Sequence, residues 1–361
     1  MITPELPPTR GGLADYTEQL VLHWPGQPDF EFIVPKNSGA MSGEFFGHPV
    51  TDVLRNRSAL ATTLPSDGGA VLVQYSAYGF DRLGYPRWLI DGLLDWKQKT
   101  NGRMGIMFHE IWTFWPWWNK NFLVQRLHRR AIGQLLRVAD VVLTTTASQA
   151  EHLSSLVPTC NARVLPVGTN IIPKVPTVEQ RDRGTAVLFG MQGTRLRALR
   201  ETANELRELA RSQRVTRIVT VGGGNSSECD AEERAILESL RLPSGFHQVG
   251  AHPAEEVSTI LASAEFGIAA QDPLSYTKSG TFMAYAAHGL NVLSNYADPS
   301  AQEPMCLLTS PACLNRGIDA AELRARAQKL RDWYDRTATW PRIAEEFARA
   351  LRAPVGGAAD K

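Results

Sequence analysis

The sequence predicts an α/β fold made of two halves, each a parallel sheet covered by helices, and three observations carry that prediction. Short apolar runs alternate with longer stretches whose apolar residues recur at helical spacing. The short runs are apolar throughout, which is typical of parallel strands that are buried on both faces. The alternation stops once, at residues 170–184, and then restarts. The chain has 361 residues, so it is long enough for two domains with separate cores.

The first half contains five predicted strands. They are residues 30–35, 70–76, 104–110, 140–146 and 162–168. Helices are predicted between them at residues 86–100 and 121–139, where apolar residues have helical spacing. Only "MIT" precedes the proline-rich start of the chain, so either the first strand is short or the natural start lies upstream.

The second half repeats the pattern after a predicted linker. Residues 170–184 contain two prolines, no periodicity and a polar end. Strands are then predicted at residues 185–190, 217–224, 246–250, 265–270 and 290–294, and helices at residues 194–212, 320–337 and 340–353. We therefore expect two Rossmann-like domains, at residues 1–172 and 173–339, followed by a closing helix at residues 340–354.

Composition narrows the classes of function. The net charge is +1, so general attraction to nucleic acid is not indicated. No run approaches 18 apolar residues, and the N-terminus lacks the pattern of a signal peptide, so we expect a cytoplasmic protein. The four cysteines show no CxxC spacing, which favours free thiols over a metal site.

Two glycines mark a strand-to-helix junction near the N-terminus. In "PPTRGGLADYTEQLV", Gly11 and Gly12 stand where a strand gives way to a helix. Backbone N–H groups at such a junction can face an anion, and the missing side chains let a ligand approach closely. A tight turn without a ligand explains the same pattern.

The strongest signal lies in "DPLSYTKSGTFMAYAAHGLNVLS", at residues 272–294. Lys278, Ser279 and Gly280 open a predicted helix after a strand, and so offer a cation, a hydroxyl and free N–H groups. This combination suits a diphosphate at the carboxyl end of a parallel sheet. Simple N-capping by Ser279 is the alternative.

Three further features concern charge and metal. Arg195 and Arg197 stand near the start of a helix, where one of them could reach a phosphate, although a solvated helix face is equally compatible. His109 and Glu110 end a buried strand and would point into the region where α/β sheets bind ligands. No second His or Cys lies at ligand spacing, so we expect no metal.

Four tryptophans crowd the segment "HEIWTFWPWWNKN". They are Trp112, Trp115, Trp117 and Trp118. Pro116 prevents one continuous helix, so several rings should project from a loop. Basic residues follow in "NKNFLVQRLHRRA", and aromatic rings beside cations suit a membrane interface or a sugar acceptor. A buried lid under a long loop is the alternative.

In this order and spacing, the chain resembles a family 4 glycosyltransferase of the GT-B fold over nearly its whole length. The resemblance rests on "PPTRGGLADYT", "FHEIW", "RVADVVLTTTASQAEHL", "VLPVGTNI", "VLFGMQGTRLRAL", "GAHPAEEVSTILASAEFGIAA" and "YTKSGTFMAYAAHGLNVLS". It implies two Rossmann-like domains facing across a cleft, with the closing helix returning to the first. It also implies transfer of a hexose from a nucleotide-diphosphate sugar, and the family favours UDP-glucose as that donor. The transfer would retain the anomeric configuration and would need neither metal nor cofactor. The acceptor would be a saccharide or a lipid-linked saccharide in polysaccharide biosynthesis, with peripheral contact to the inner face of the membrane.

The resemblance carries roles to individual residues. Gly11 and Gly12 match the glycines that approach the diphosphate and the sugar, and His109 matches the histidine that contacts the sugar hydroxyls. Lys278, Ser279 and Gly280 match the loop that holds the β-phosphate. Arg195 matches the family's basic residue loosely, with Arg197 as the alternative.

The remaining roles complete the expected site. Glu110 and Asp15 are fallback bases, and Asp15 and the four tryptophans are expected on the acceptor side. The candidate catalytic residues are His109, Lys278, Arg195 and Glu110.

One departure from the family concerns two glutamates eight positions apart. Tyr276 and Ala284 occupy those places here. Asp272 is the carboxylate that could compensate from the loop. The loss leaves two alternatives open, namely a non-catalytic subunit that binds a nucleotide sugar, or an epimerase or hydrolase on the same fold.

Overall fold

The computed structural model describes all residues except 10, 27, 40–42, 68, 101, 113–114, 120–121, 174–180, 225, 270 and 353–361. The chain divides into two units. Unit 1 is Met1–Pro166 together with the chain from Trp340 onward, and unit 2 is Val167–Thr339. The middle of the predicted linker, residues 174–180, lies outside the described residues. The boundary predicted from the sequence lies at residue 172.

Unit 1 alternates strands and helices. Its strands are β1 (Phe32–Pro35), β2 (Gly43–Phe45), β3 (His48–Val53), β4 (Ala70–Tyr75), β5 (Arg103–Phe108), β6 (Val141–Thr144) and β7 (Ala162–Val164). Its helices in this part of the chain are α1 (Gly12–Leu22), α2 (Arg57–Thr63), α3 (Ala77–Phe80), α4 (Arg87–Lys99), α5 (Phe122–Leu136) and α6 (Ala147–Leu156).

The sheet of unit 1 is joined at its centre by the short N-terminal segment. Strands β4, β5, β6 and β7 form one parallel ladder, and β1, β3 and β2 form another in which only β2 is antiparallel. Ile2 makes parallel bridges to Ile33 in β1 and to Val73 in β4. The "MIT" segment therefore supplies one bridging residue, and α1 follows from the centre of the sheet.

Unit 2 repeats the alternation. Its strands are β8 (Asp182–Phe189), β9 (Arg217–Val221), β10 (Phe246–Gly250), β11 (Ala264–Ile268) and β12 (Asn291–Leu293). Its helices are α7 (Gln192–Arg211), α8 (Ser227–Ser239), α9 (Ala254–Ser263), α10 (Gly280–Ala287), α11 (Pro311–Asn315) and α12 (Ala320–Thr337). Short 3-10 turns occupy Tyr276–Lys278 and Met305–Leu307.

The strand order of unit 2 creates a switch point. The sheet is parallel throughout, in the order β10-β9-β8-β11-β12. Successive strands run outward from β8 on one side and from β11 on the other. Ligands of open α/β sheets bind where the carboxyl ends of two such neighbouring strands meet, so this junction is where a site is expected.

Helix α10 is fixed to the sheet by a buried tyrosine. The Tyr285 hydroxyl accepts a hydrogen bond from the Phe189 amide at 2.7 Å and lies 3.3 Å from the carbonyl oxygens of Val187 and Ile268. A Cβ at Gly267 would lie 2.6 Å from the Tyr285 ring, so only glycine leaves room for it. The ring thus fixes α10 over β8 and β11.

A buried ion pair joins α7 to α8. Arg195 and Glu233 are 5% and 0% exposed, and Nη2 of the arginine lies 3.1 Å from Oε2 of the glutamate. Nη1 donates to the carbonyl oxygens of Gly190 and Gly222 at 2.7 and 2.9 Å. The guanidinium therefore neutralises a buried carboxylate and holds the ends of β8 and β9 together.

The last helix, α13 (Trp340–Arg352), belongs to unit 1. Its Trp340 ring meets the Tyr16 ring of α1 edge-on, with centroids 5.0 Å apart. Arg103 of β5 donates to the Ala350 carbonyl at 2.9 Å, which satisfies one of the free carbonyls at the end of the helix. No helix in the described ranges is long and apolar enough to cross a membrane.

All ten strands predicted from the sequence are confirmed, but the hairpin of β2 and β3 was not predicted. Its turn places both Phe46 and Gly47 at positive φ, 54° and 77°. Phenylalanine rarely adopts that conformation, so "FFGH" does not resemble a favoured turn sequence. The four cysteines are free thiols.

The buried ion pair generates a stability prediction. We expect Glu233→Ala to lower the free energy of unfolding by about 3–5 kcal/mol, because it leaves the Arg195 cation buried without its counter-charge. Glu232→Ala is the matched control, since Glu232 pairs with Arg200 at the surface. Urea titration of both variants measures the difference, and equal stability of the two would contradict the structural role of Arg195.

Candidate functional site

A pocket of about 390 Å³ lies at the switch point of unit 2. One wall comes from the start of α7, after β8, and the other from the segment between β11 and α10. Its lining residues are Gly193, Thr194, Arg197, Gln271, Ser275, Lys278, Ser279, Gly280 and Thr281. The pocket thus contains the three residues of the predicted Lys-Ser-Gly motif.

The N-terminus of α10 is partly capped and partly open. Ser279 is the N-cap, and its hydroxyl accepts from the Phe282 amide at 3.2 Å. The amides of Gly280 and Thr281 have no hydrogen-bond partner among the described residues. A Cβ at Gly280 would meet nothing within 4 Å, so this glycine faces open space. Capping by Ser279 and an available anion site therefore coexist, because they use different amides.

The start of α7 forms a second opening. Gly193 lines the pocket, and a Cβ built there meets nothing within 4 Å. Met191 caps the helix without a side-chain hydrogen bond. The positive ends of two helix dipoles therefore border one pocket. The sequence analysis did not identify Gly193 as a site residue, although it follows strand β8 much as Gly12 follows the bridging N-terminal segment.

The basic residue on α7 that lines the pocket is Arg197, not Arg195. Arg195 is the buried partner of Glu233 and does not line the pocket, so the expected role of Arg195 is corrected to its alternative. Arg197 is exposed and donates from Nε to Oε1 of Glu201 at 2.7 Å. Hydrogen bonding to Glu201 raises the pKa of Arg197 and orients its guanidinium. Lys278 adds a second exposed cation from the 3-10 turn.

The proposed substitute carboxylate is committed to its own loop. Asp272 Oδ1 accepts from the Leu274 amide at 2.9 Å, and Oδ2 accepts from the Ser275 hydroxyl at 3.0 Å. Asp272 is not among the pocket-lining residues, whereas Ser275 is. Its carboxylate therefore shapes the turn that carries Ser275 into the pocket wall.

The two residues at the positions where the resembled family has glutamates are both buried. Tyr276 is 1% exposed and its hydroxyl lies 2.6 Å from the Ser294 hydroxyl, while Ala284 is 0% exposed. Burial raises the pKa of Tyr276, and the nearby charges of Asp272 and Glu201 raise it further. Glu201 is thus a carboxylate near this position that the sequence analysis missed. Its four-residue spacing from Arg197 was the available signal.

In unit 1, the chain's own carboxylate occupies the N-terminus of α1. Glu5 Oε1 accepts from the amides of Leu13 and Ala14, both at 3.2 Å. A Cβ at Gly11 would lie 2.2 Å from that oxygen, so a larger residue there would displace the Glu5 carboxylate. Gly12 differs, because a Cβ there meets nothing within 4 Å. The anion that faces these amides in the structure is therefore Glu5.

His109 lies beside α1 at the end of β5. It is 7% exposed, its Nε2 lies 2.6 Å from Oε1 of Gln74, and its ring meets the Tyr16 ring edge-on at 4.6 Å. Glu110 is exposed and accepts from the Ser76 hydroxyl at 2.9 Å. Asp15 is exposed in the first turn of α1. The fold thus brings the Gly12 helix and the His109 strand together.

The four tryptophans divide between core and surface. Trp112 is 6% exposed and packs in the core of unit 1, with the Arg129 guanidinium 5.3 Å from its ring centre. Trp112 is therefore not one of the projecting rings, because its side chain is enclosed in that core. Trp115 is half-buried, whereas Trp117 and Trp118 are 77% and 72% exposed.

The residues that could hold a metal are not clustered. Within the described ranges, no group of three or more His, Cys, Asp or Glu side chains is arranged to bind a metal ion. The charges at the pocket are cationic instead, so it is suited to an anionic ligand.

Comparison with known proteins identifies the fold. No family model and no curated protein sequence matches the chain. Among solved structures, the chain is similar to HepE from Anabaena in complex with UDP, with a TM-score of 0.65 and 12% identity over 97% of this chain and 98% of that one. The structure of HepE in complex with UDP-glucose has a TM-score of 0.59 and 12% identity, over 97% of this chain and 98% of that chain. WaaG, a glycosyltransferase involved in lipopolysaccharide biosynthesis, gives 0.59 and 14% over 98% of this chain and 100% of that chain. The chain has the GT-B fold of two Rossmann-like domains.

Proposed function

We propose that the protein is a retaining hexosyltransferase that uses a nucleotide-diphosphate sugar, with UDP-glucose as the first donor to test. The acceptor would be a saccharide or a lipid-linked saccharide in polysaccharide biosynthesis. The observation that carries the proposal is the pocket at the switch point, where Lys278, Arg197 and two helix N-termini border one space.

The charge of this pocket suits a diphosphate. The two cations and the partial positive charges of α7 and α10 all act on the same ligand. The open glycines, Gly193 and Gly280, let phosphate oxygens approach the backbone amides closely. The similar HepE structures contain UDP and UDP-glucose, which supports a uridine nucleotide as the donor.

The same groups suit the departure of the diphosphate. Negative charge grows on the leaving group as the glycosidic bond breaks, so fixed cations and dipoles lower the barrier most at that moment. Retaining glycosidases use a carboxylate nucleophile, but Asp272 is committed to its turn and Tyr276 and Ala284 are buried. We therefore favour a front-face reaction, in which the leaving phosphate takes the acceptor's proton, with Glu110 and Asp15 as fallback bases.

A second candidate is a non-catalytic subunit that binds a nucleotide sugar. The buried Tyr276 and Ala284 favour it, because neither offers a carboxylate to the sugar or the ribose. Turnover of a panel of nucleotide sugars with saccharide acceptors separates the two, with released nucleotide as the readout. Donor binding without turnover would support the subunit, and epimerised or hydrolysed donor without transfer would support the other enzyme classes.

The acceptor side of the proposal rests on unit 1. Trp117, Trp118, Leu123 and Leu127 are all more than half exposed, and we call them the aromatic patch. Leu123 and Leu127 are one helical turn apart on α5, so they share a face. Arg126, Arg129 and Arg130 are exposed on the same helix. Apolar groups at headgroup depth beside cations suit an anionic bilayer, where a lipid-linked acceptor would be held.

The first prediction from the proposed function concerns the leaving group. We expect Lys278→Ala to lower kcat/KM for the donor by at least about tenfold, because it removes a cation from the departing diphosphate. Lys329→Ala is the matched control, since Lys329 is exposed on α12 and does not line this pocket. Unchanged kinetics in a folded Lys278→Ala protein would remove this lysine from the site.

The second prediction concerns metal dependence. We expect transfer to persist in excess EDTA, because Lys278 and Arg197 supply the charge that a divalent ion would otherwise provide. Released nucleotide is measured with and without chelator. Loss of activity that Mg²⁺ or Mn²⁺ restores would overturn the metal-independent mechanism.

The third prediction concerns the aromatic patch. We expect Trp117→Ser with Trp118→Ser to weaken binding to phosphatidylglycerol vesicles and use of a lipid-linked acceptor, while donor hydrolysis stays nearly unchanged. Leu54→Ser with Leu83→Ser is the control, since both leucines are more than half exposed elsewhere in unit 1. Vesicle co-sedimentation and melting temperature are the measurements. A collapse of the melting temperature in the tryptophan variant would assign these rings to the core instead.

A further inference from the structure

A larger cavity of unit 2, about 1010 Å³, lies at the amino ends of the strands, whereas the pocket described above lies at their carboxyl ends. It is bordered by the first residues of β8, β11 and β12 and by one face of α12. Its floor is apolar and includes Phe266, Leu314, Ile318, Leu323 and Ala327. The volume is at the upper end of the range for small-molecule sites.

Arginines dominate the wall of this cavity. The five are Arg181, Arg183, Arg214, Arg324 and Arg331. Two carboxylates also line it, but both already have partners. Asp335 pairs with Arg331 at 2.8 Å, and Glu265 accepts from the Gly184 amide at 2.7 Å. Among the lining residues that the structure describes, five arginines face two carboxylates, so positive charges outnumber negative ones by three.

Two of the arginines are fixed and three are not. Arg181 donates to the carbonyl oxygens of Gly289 and His288, at 2.7 and 2.5 Å, and Arg331 donates to that of Ala287. These two cations cap the C-terminus of α10, where positive charge is favourable. The other three are exposed, and their guanidinium groups have no ion-pair or hydrogen-bond partner among the described residues. They are Arg183, Arg214 and Arg324.

Two residues that line the cavity also have unsatisfied polar atoms. Nε of Arg181 and Oδ1 of Asn291 are buried and lack hydrogen-bond partners within the described ranges. Burial lowers the pKa of Arg181, since its cation is held mainly by neutral carbonyls. An anion can accept a hydrogen bond from Nε of Arg181, whereas Oδ1 of Asn291 is itself an acceptor and needs a donor, such as a hydroxyl of the ligand.

We propose that this cavity binds an organic phosphate that contains a ring, such as a sugar phosphate. The phosphoryl group of the ligand would contact the arginines of the rim, and its ring would pack on the apolar floor. Guanidinium groups match phosphate oxygens in charge and in bidentate geometry. The three unpaired arginines have no existing partner that a phosphate would have to displace. The apolar floor distinguishes the ligand from a free inorganic anion. The site is separate from the candidate donor pocket and does not rest on the proposed function.

Calorimetric titration with glucose 6-phosphate and with inorganic phosphate tests the proposal on the full chain. The variant is Arg183→Gln, Arg214→Gln and Arg324→Gln together. The control is Arg211→Gln, Arg234→Gln and Arg241→Gln, three exposed arginines of unit 2 that do not line the cavity. We expect the cavity variant to bind glucose 6-phosphate at least about tenfold more weakly than wild type, the control to bind normally, and added salt to weaken binding.

The outcomes separate this site from the donor pocket. Binding of glucose 6-phosphate should survive Lys278→Ala, whereas binding that Lys278→Ala abolishes would assign the ligand to the donor pocket and overturn the proposal. Equal affinity of the two triple variants, or no binding to wild type, would also overturn it. Tighter binding of inorganic phosphate than of glucose 6-phosphate would contradict the role of the apolar floor. Because the three side chains are exposed and unpaired, circular dichroism should show a folded variant, and Arg324→Gln alone repeats the test if it does not.

Discussion

The packing of the Tyr285 ring against Gly267 is the contact on which the pocket at the switch point of unit 2 depends. The tyrosine hydroxyl reaches backbone groups of β8 and β11, and the missing Cβ of Gly267 makes room for its ring. The result fixes α10 across the two strands that form the switch point. Lys278, Ser279 and Gly280 can border a defined pocket only because this helix cannot slide or rotate on the sheet. Closely packed interiors allow few such adjustments.

The two units treat the start of their helices differently. At α1 the amides of Leu13 and Ala14 are satisfied by Glu5, a carboxylate from the same unit. At α7 and α10 the corresponding glycines face open space, and the nearby charges are cations. An external anion would have to displace Glu5 at the first helix, whereas no carboxylate among the described residues accepts from the amides of Gly280 and Thr281. The charge pattern therefore directs a phosphate ligand toward unit 2.

Much of the fold could be predicted because buried parallel strands are apolar without interruption. The hairpin of β2 and β3 lacked that signal, since its turn depends on Phe46 in a conformation that its side chain disfavours. The Lys-Ser-Gly motif was found from its position after a strand. The choice between Arg195 and Arg197 was left open in the sequence, because a buried arginine is unusual and the carboxylate that pairs with Arg195 lies on another helix. Burial next to Glu233 decided it.

The tryptophan segment illustrates the same limit at larger scale. Composition alone could not separate Trp112, which packs in the core, from Trp117 and Trp118, which are exposed. Neighbouring rings in a non-helical segment can face in any direction, because no fixed period relates them. The distinction required the tertiary packing of Trp112 against Arg129 and the core of unit 1.

Helix α10 has only eight residues, so it is about 12 Å long. One end borders the pocket that contains Lys278, and the other is held by Arg181 and Arg331 in the arginine-lined cavity. The pocket and the arginine-lined cavity therefore lie at the two ends of one short helix that Tyr285 holds on the sheet.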